Sequence, residues 1–459
     1  MSFFATFVLV FVLVVRPQEV WPFLAAFRLL DVFTGLAVVG LVVDWINDKR
    51  SALSPQLPYV GALVVWGYLA TVGGLGRDGL VLATQRVLIP AIFMLAVAFS
   101  VRSFGQLKWL MGLLLALAAF VSVVAIHQGQ IEPECIELAP ELDDLPDSMP
   151  DLGDPDGRSC DTAYSCTKGG RAGVDYVCER LGLFNTVSTQ RRVRWRGQLG
   201  DPNELSIYVA AVMPLLFAVG AGAKRRLASV ASLALVVVGL YAVILTQSRG
   251  GQLVVAAVFG IYFVARLGPR GLVAGMMLAL PVLLFGGRDD AMADASAGER
   301  TELLYDGVSM FMQHPLLGVG IDQFREHTSI RLTAHNAYLL AAAELGGIGI
   351  FVWTSLYWMS MKIPLTILRT PPAALDPRLR EAAKALLVSF VGMAIGVFFL
   401  SFTYKQLLFV WFGMAGALYS VVKRQHPEFE VRMGRDWVGV LLADAAILLL
   451  VFVYSRLKA

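Results

Sequence analysis

Four short segments of this chain carry residues of types that can hold an anion or move a proton. The first is Arg194-Trp195-Arg196-Gly197, followed by Gly200-Asp201-Pro202-Asn203-Glu204. Asp201 can cap a helix starting at Pro202, with Glu204 near the positive end of its dipole; capping explains Asp201 and Pro202 and leaves the arginines unexplained. The second is Gln247-Ser248-Arg249-Gly250-Gly251, a tight turn whose glycines permit close backbone approach, where an arginine could equally snorkel to lipid headgroups. The third, Gly298-Glu299-Arg300, opens a stretch with Leu303, Leu304, Val308, Phe311 and Met312 at helical spacing, the pattern of a helix lying along an interface. The fourth is Thr333-Ala334-His335-Asn336-Ala337-Tyr338, which runs on through Glu344-Leu345-Gly346-Gly347-Ile348-Gly349. A histidine in a helix's first turn feels the positive dipole end, stays neutral near pH 7 and can accept a proton; one that merely bonds a neighbouring carbonyl looks the same in sequence. Glu344 lies nine residues on, half a turn out of phase and about 13 Å deeper. It is therefore no partner of His335 and suits a buried contact with another helix.

These segments need a scaffold, and composition dictates which. Of 459 residues 57% are hydrophobic and 16% charged, and the mean hydropathy is +0.66, so the chain's solvent is lipid. The apolar stretches are continuous Leu, Val and Ala runs and not short alternating strands, which fits membrane helices and excludes a β-barrel. Candidate spans are 2–15, 25–46, 58–74, 81–101, 106–126, 203–222, 227–246, 251–266, 270–286, 335–361, 385–403, 406–422 and 437–455, twelve or thirteen because a short pair could dip without crossing. The predicted fold is all-α, a polytopic transmembrane helical bundle making one integral membrane domain over 1–459. Met1 to Val15 has no basic flank and no small-residue cleavage site, so it reads as a retained span and not as a signal peptide.

With the N-terminus in the cytoplasm, the short inner loops hold Lys49, Arg50, Arg102, Lys108, Lys224, Arg225, Arg226, Arg266, Arg270, Lys362 and the basic residues of 369–384 and 423–435. The short outer loops hold only Arg16, Arg77, Arg249 and Lys405. That asymmetry obeys the positive-inside rule for a multi-pass protein, and it puts two long loops, 127–202 and 287–334, on the extracytoplasmic side. All four cysteines, Cys135, Cys160, Cys166 and Cys178, fall in the first loop, where two disulfides could staple a small cap; three pairings stay open. The CxxC spacing of a metal site is missing. The same loop is acidic from Glu132 to Asp161 and basic at Arg180, Arg191, Arg192, Arg194 and Arg196. Asp154, Asp156, Gly157 and Asp161 match a calcium loop only in part, and a solvated acidic loop is the simpler account. A net charge of +3 spread over short loops argues against nucleic acid as a partner.

Taken in order, Arg16-Pro17-Gln18-Glu19, Gly200-Asp201-Pro202-Asn203, Thr246-Gln247-Ser248-Arg249-Gly250-Gly251, His314-Pro315-Leu316-Leu317-Gly318-Val319-Gly320, His335-Asn336 and Glu344-Leu345-Gly346 resemble the O-antigen ligase and polysaccharide polymerase superfamily. The likeness spans most of the chain. It implies a glycosyltransferase, needing no cofactor and no metal, that moves a polyprenyl-diphosphate-linked glycan onto an acceptor glycan or glycolipid among the membrane lipids. In that family outward-facing arginines and a histidine at a helix mouth are implicated in catalysis, which matches Arg196, Arg249, Arg300 and His335 in type and side. Arg194, Asp201, Asn203, Glu204 and Asn336 would contact substrate. The cysteine loop and the span 437–455 depart from the common pattern.

The chemistry implied is self-consistent. A diphosphate is an activated leaving group; arginine forks bind its oxygens and neutralise the charge that grows on departure. His335 would take the acceptor hydroxyl's proton, and direct displacement would invert the anomeric centre. The acceptor is either another lipid-linked repeat unit, as in a polymerase that could work beside a chain-length regulator, or the core sugar of lipid A, as in a ligase; the large outer loop favours the polymerase. A glycan-lipid transporter or flippase is the alternative from another class. It should carry mid-membrane charge and inverted repeats, whereas only Arg28 and Arg86 are strong mid-span charges here and the polar clusters share one side.

Overall fold

A computed structural model of the chain describes residues 1–47, 54–138, 152–171, 173–220, 226–285, 290–371 and 375–458. Lys49, Arg50, Lys224, Arg225 and the middle of the acidic run lie outside these. The fold is mostly helical, because in lipid only a helix satisfies its own backbone N–H and C=O groups. Among the described residues nine helical stretches are long and apolar enough to cross a membrane: Ser2–Val20, Pro22–Asn47, Leu57–Ser100, Phe104–Gln130, Pro202–Gly220, Arg249–Leu267, Ala337–Arg369, Gln406–Gln425 and Asp436–Lys458. The protein is a multi-pass membrane protein.

Nine differs from the expected twelve or thirteen for identifiable reasons. Leu57–Ser100 holds two expected spans, 58–74 and 81–101, which reverse at Gly76 (φ 55°). The two arms run side by side, with Tyr68 Oη 2.7 Å from Thr84 Oγ1 and Gly67 against the Val87 side chain. The expected spans 227–246 and 270–286 appear as Arg226–Leu245 and as the 16-residue Arg270–Phe285. The expected 385–403 belongs to Pro377–Val397, whose first two turns carry Arg378, Arg380, Glu381 and Lys384 and dilute its apolar character. Arg28 sits exposed at a left-handed break (φ 45°) between the turn Pro22–Phe27 and the helix Leu29–Asn47, its guanidinium on Asp31. Arg86 pairs with Asp322 at 2.7 Å.

Pro202–Gly220, Ala337–Arg369 and Gln406–Gln425 are buried on nearly every face and form the centre, whereas Pro22–Asn47 and Asp436–Lys458 expose most of their surface at the rim. The central helix Ala337–Arg369 is broken at Gly346 (φ 69°). A break frees carbonyls that lipid cannot satisfy, and the segment His314–Gly320 fills that need. Val319 N donates to Ala343 O (2.9 Å), Gly320 N to Glu344 O (3.0 Å), and Gly347 N to Pro315 O (2.8 Å), while Trp66 Nε1 donates to Leu345 O (2.8 Å). Side chains at Gly346 and Gly318 would collide with Leu316 O and the Glu344 backbone, so both motifs are glycine-bearing because each is the other's packing surface. Glu344 itself accepts from Phe324 N at 3.1 Å, in the loop that follows the docked segment, where the sequence suggested a contact with another helix.

Between Gln130 and Pro202 the chain leaves the bundle and forms something the all-α expectation did not contain. Strands β1 (Glu134–Leu138), β2 (Leu152–Ser159) and β3 (Tyr176–Glu179) pair antiparallel in the order β2-β1-β3. Disulfides Cys135–Cys166 and Cys160–Cys178 close this cap, so the sulfurs of Cys135, Cys160 and Cys166, within 4.8 Å of one another, are spent in bridges. The bridges stand in for a core too small to hold the sheet. Asp156 of the calcium-like fragment is taken by Arg158, which donates from its backbone N (3.0 Å) and Nε (2.8 Å). A second hairpin, β4 (Leu181–Gly182) with β5 (Thr186–Val187), leads back to the bundle, anchored by Trp195, whose Nε1 donates to Val14 O (2.8 Å) and whose ring meets Phe120 edge-on at 5.2 Å.

Candidate active site

Several segments far apart in sequence converge on a cavity of about 430 Å³. Its lining combines polar side chains, among them Asn203, Arg249, Arg300, His335 and Asn336, with apolar ones such as Ile207, Leu304, Phe398, Phe399, Leu400, Leu450 and Val451. Such a site suits a ligand with a charged or polar end and a hydrocarbon end.

Arg249 is the first residue of the helix Arg249–Leu267, whose cap Ser248 accepts from Gly251 N at 3.1 Å. Its side chain is exposed and has no ion-pair partner among the described residues. The helix's own N-terminus adds a partial positive charge at the same place. Arg300 comes from Asp290–Gln313, which packs onto Ala337–Arg369 by burying Leu303 and seating the Leu339 side chain against Gly307. Of the apolar stripe expected on this helix, Leu303 and Val308 are buried and Met312 is exposed.

His335 does not stand in the first helical turn, as the sequence suggested. The helix begins at Ala337, capped by the Asn336 side chain, which accepts from Leu339 N at 2.9 Å, so His335 precedes the cap. Its backbone is left-handed (φ 48°) and is held by Ser401 Oγ, which accepts from His335 N at 2.9 Å. Ser401 is in turn fixed by Thr333 Oγ1 at 2.9 Å. The imidazole has no hydrogen bond among the described residues. Burial, then the charge of Arg300, pushes its pKa below the ordinary 6.5, so the ring is neutral at pH 7. The causes of the lowering are burial and a neighbouring guanidinium, where the sequence pointed to the helix dipole.

Other residues singled out from sequence lie elsewhere. Arg194 is buried and spends itself on backbone carbonyls, donating from Nε to Val187 O (2.7 Å) and from Nη1 to Gly200 O (3.4 Å). Arg196 Nη2 donates to Phe184 O (2.6 Å) and Asn185 O (2.9 Å). Neither lines the cavity, so its charge comes from Arg249 and Arg300. Arg196 is followed by Gly197 (φ 52°), against which the Arg16 side chain lies so closely that no Cβ would fit; two motifs far apart in sequence meet there. Asp201 caps the helix starting at Pro202 by accepting from Asn203 N at 2.6 Å. Glu204 is buried in an ion pair with Lys405 at 2.7 Å, which ties that helix to Gln406–Gln425. The apolar lining escaped the sequence reading because Phe398, Phe399 and Leu400 carry no signal that separates a cavity lining from core.

The stretch 234–354, which carries Arg249, Arg300, His335, Asn336 and the broken helix with its docked partner, matches the family described as O-antigen ligase. Over those residues the chain is similar to that family. No curated protein matches the chain. The O-antigen ligase match leaves out the disulfide cap, the Arg192–Glu204 segment and the last helix, although Asn203, Leu450, Val451 and Tyr454 complete the cavity from those regions. Glycan transfer of the O-antigen ligase and polymerase type is the chemistry of this family.

Proposed function

We propose that the protein transfers a glycan from a polyprenyl diphosphate to an acceptor sugar hydroxyl on the periplasmic side of a bacterial inner membrane, and so polymerises an O-antigen or related polysaccharide. The observation that carries this reading is one cavity joining two guanidinium groups, a neutral imidazole and apolar side chains. Arg249 and Arg300 hold diphosphate oxygens and stabilise the charge left as the anomeric carbon departs, the role a divalent cation plays elsewhere. His335 takes the acceptor's proton as the new C–O bond forms and the C–O bond to phosphate breaks, which inverts the anomeric centre and leaves polyprenyl diphosphate. The side chains of Asn203 and Asn336 orient the substrates, and the disulfide cap lies on the periplasmic side, where disulfides persist.

Purified protein given lipid-linked repeat units should produce longer lipid-linked chains. Transfer only to a lipid A-core acceptor would make the protein a ligase, and no glycosidic bond with either acceptor would sink the proposal.

A further inference from the structure

Hydrogen-bonded to the cavity-lining Asn203 is Arg192, 3% exposed, which no motif of the sequence distinguished from its neighbours. It closes a two-residue turn in which Thr189 N donates to Arg192 O (3.0 Å) and Arg192 N to Thr189 O (2.9 Å). Both central residues, Gln190 (φ 52°) and Arg191 (φ 62°), are left-handed, a conformation that Asn-Gly adopts readily and these side chains do not. The Glu179 carboxylate holds them there, accepting from Gln190 N (2.6 Å) and Arg191 N (2.9 Å), and Glu179 adjoins the bridged Cys178. The turn therefore aims Arg192 at a set direction.

That direction is between two cavity elements. Arg192 Nε donates to Thr246 O (2.8 Å), a carbonyl left over at the end of Arg226–Leu245 and three residues before Arg249. Arg192 Nη2 donates to Asn203 Oδ1 (2.9 Å). A guanidinium can only donate, so the amide must turn its oxygen to Arg192. The Asn203 NH₂, without a hydrogen-bond partner among the described residues, is then left to donate into the cavity that Asn203 lines. We infer that Arg192 is a positioning residue: it makes Asn203 a hydrogen-bond donor toward the diphosphate of the lipid-linked donor.

This inference rests on the proposed transfer reaction and is tested by a double-mutant cycle on purified protein. Arg192→Lys keeps the charge but cannot reach both Thr246 and Asn203, and should raise the KM for the lipid-linked donor about tenfold while leaving the acceptor KM and kcat within about twofold. Asn203→Ala should do the same, and the double variant should be no worse than either alone. Asn203→Asp keeps an oxygen for Arg192 but replaces the donor by a charged acceptor, so it should exceed Asn203→Ala in donor KM. Additive effects, or equal rises in both KM values with a lowered melting temperature, would reduce Arg192 to packing. If Arg192→Lys does not purify as a monodisperse protein, the Asn203 pair decides: equal donor KM for Asp and Ala overturns the inference. The same cycle run on binding of a short-chain polyprenyl diphosphate separates the two ideas. A non-additive Kd cycle in a protein that forms no glycosidic bond upholds Arg192 and removes the transfer reaction; an additive Kd cycle with transfer intact removes Arg192 alone.

Discussion

The segment Arg180–Arg196 and the cavity wall both present arginines beside the membrane, and they use them in opposite ways. In the segment, Arg180 donates to Gly129 O, Arg192 to Thr246 O, Arg194 to Val187 O and Arg196 to Phe184 O; these guanidinium groups replace secondary structure in a stretch that has little. In the cavity, Arg249 is exposed at a helix N-terminus with no anionic partner among the described residues, so its charge is available to a ligand. A carbonyl-bonded arginine contributes to stability and shape, whereas an arginine held open costs stability and retains binding capacity. The number of arginines near a membrane mouth therefore says less than where each spends its donors.

The largest effect that this division predicts falls on His335. His335→Gln should lower transfer by about 10²- to 10⁴-fold, the worth of a positioned base, with folding unchanged. In the wild type the lowered pKa means that the ring stays neutral down past the ordinary value of 6.5 and is protonated only in more acidic buffer. Transfer should therefore be flat from pH 7.5 to about 6.5 and fall below it. A rate that falls instead on raising the pH through that range would mean that the charged form works and His335 is not the base.

Next comes Arg249→Lys, for which loss of a fork aimed at the leaving group should cost about 10²- to 10³-fold in kcat. Its exposed side chain touches little, so the melting temperature should not move. Arg196→Lys should show the reverse pattern: about 0.5–1.5 kcal/mol of stability lost with the hydrogen bonds to Phe184 O and Asn185 O, and transfer reduced severalfold at most. Should Arg196→Lys abolish transfer in a protein that melts like wild type, the boundary between the two groups of arginines has been drawn in the wrong place. The smallest effect is expected from EDTA, which should leave the rate unchanged because arginines supply the positive charge; a strict need for added divalent ion would contradict that.

Much of this was legible from residue types alone. The helical class follows from continuous apolar runs, and Arg249, Arg300, His335, Asn203 and Asn336 were all picked out before their convergence was visible. What sequence could not separate was Arg196 from Arg249, since both are arginines beside glycine at a helix approach and the difference lies in carbonyls brought near by Phe184 and Asn185. The hairpin at Gly76 was readable as two spans, whereas the sheet in the cysteine loop was not, because β2 reads Leu-Gly-Asp-Pro-Asp-Gly-Arg-Ser and has no strand-like alternation. The motifs His314–Gly320 and Glu344–Gly346 each looked like separate marks of function, and only their mutual backbone bonds show them to be one structural joint.

That joint constrains how the protein is built. The broken helix cannot settle in lipid alone, since the carbonyls of Ala343 and Glu344 would face hydrocarbon. Their partners, Val319 and Gly320, leave the ribosome earlier, so the docking segment is already made when the helix arrives. Biogenesis thus has a fixed order at this point: the 314–320 segment waits until residues 337–347 close over it, and a chain that loses that order leaves the carbonyls at the break without partners.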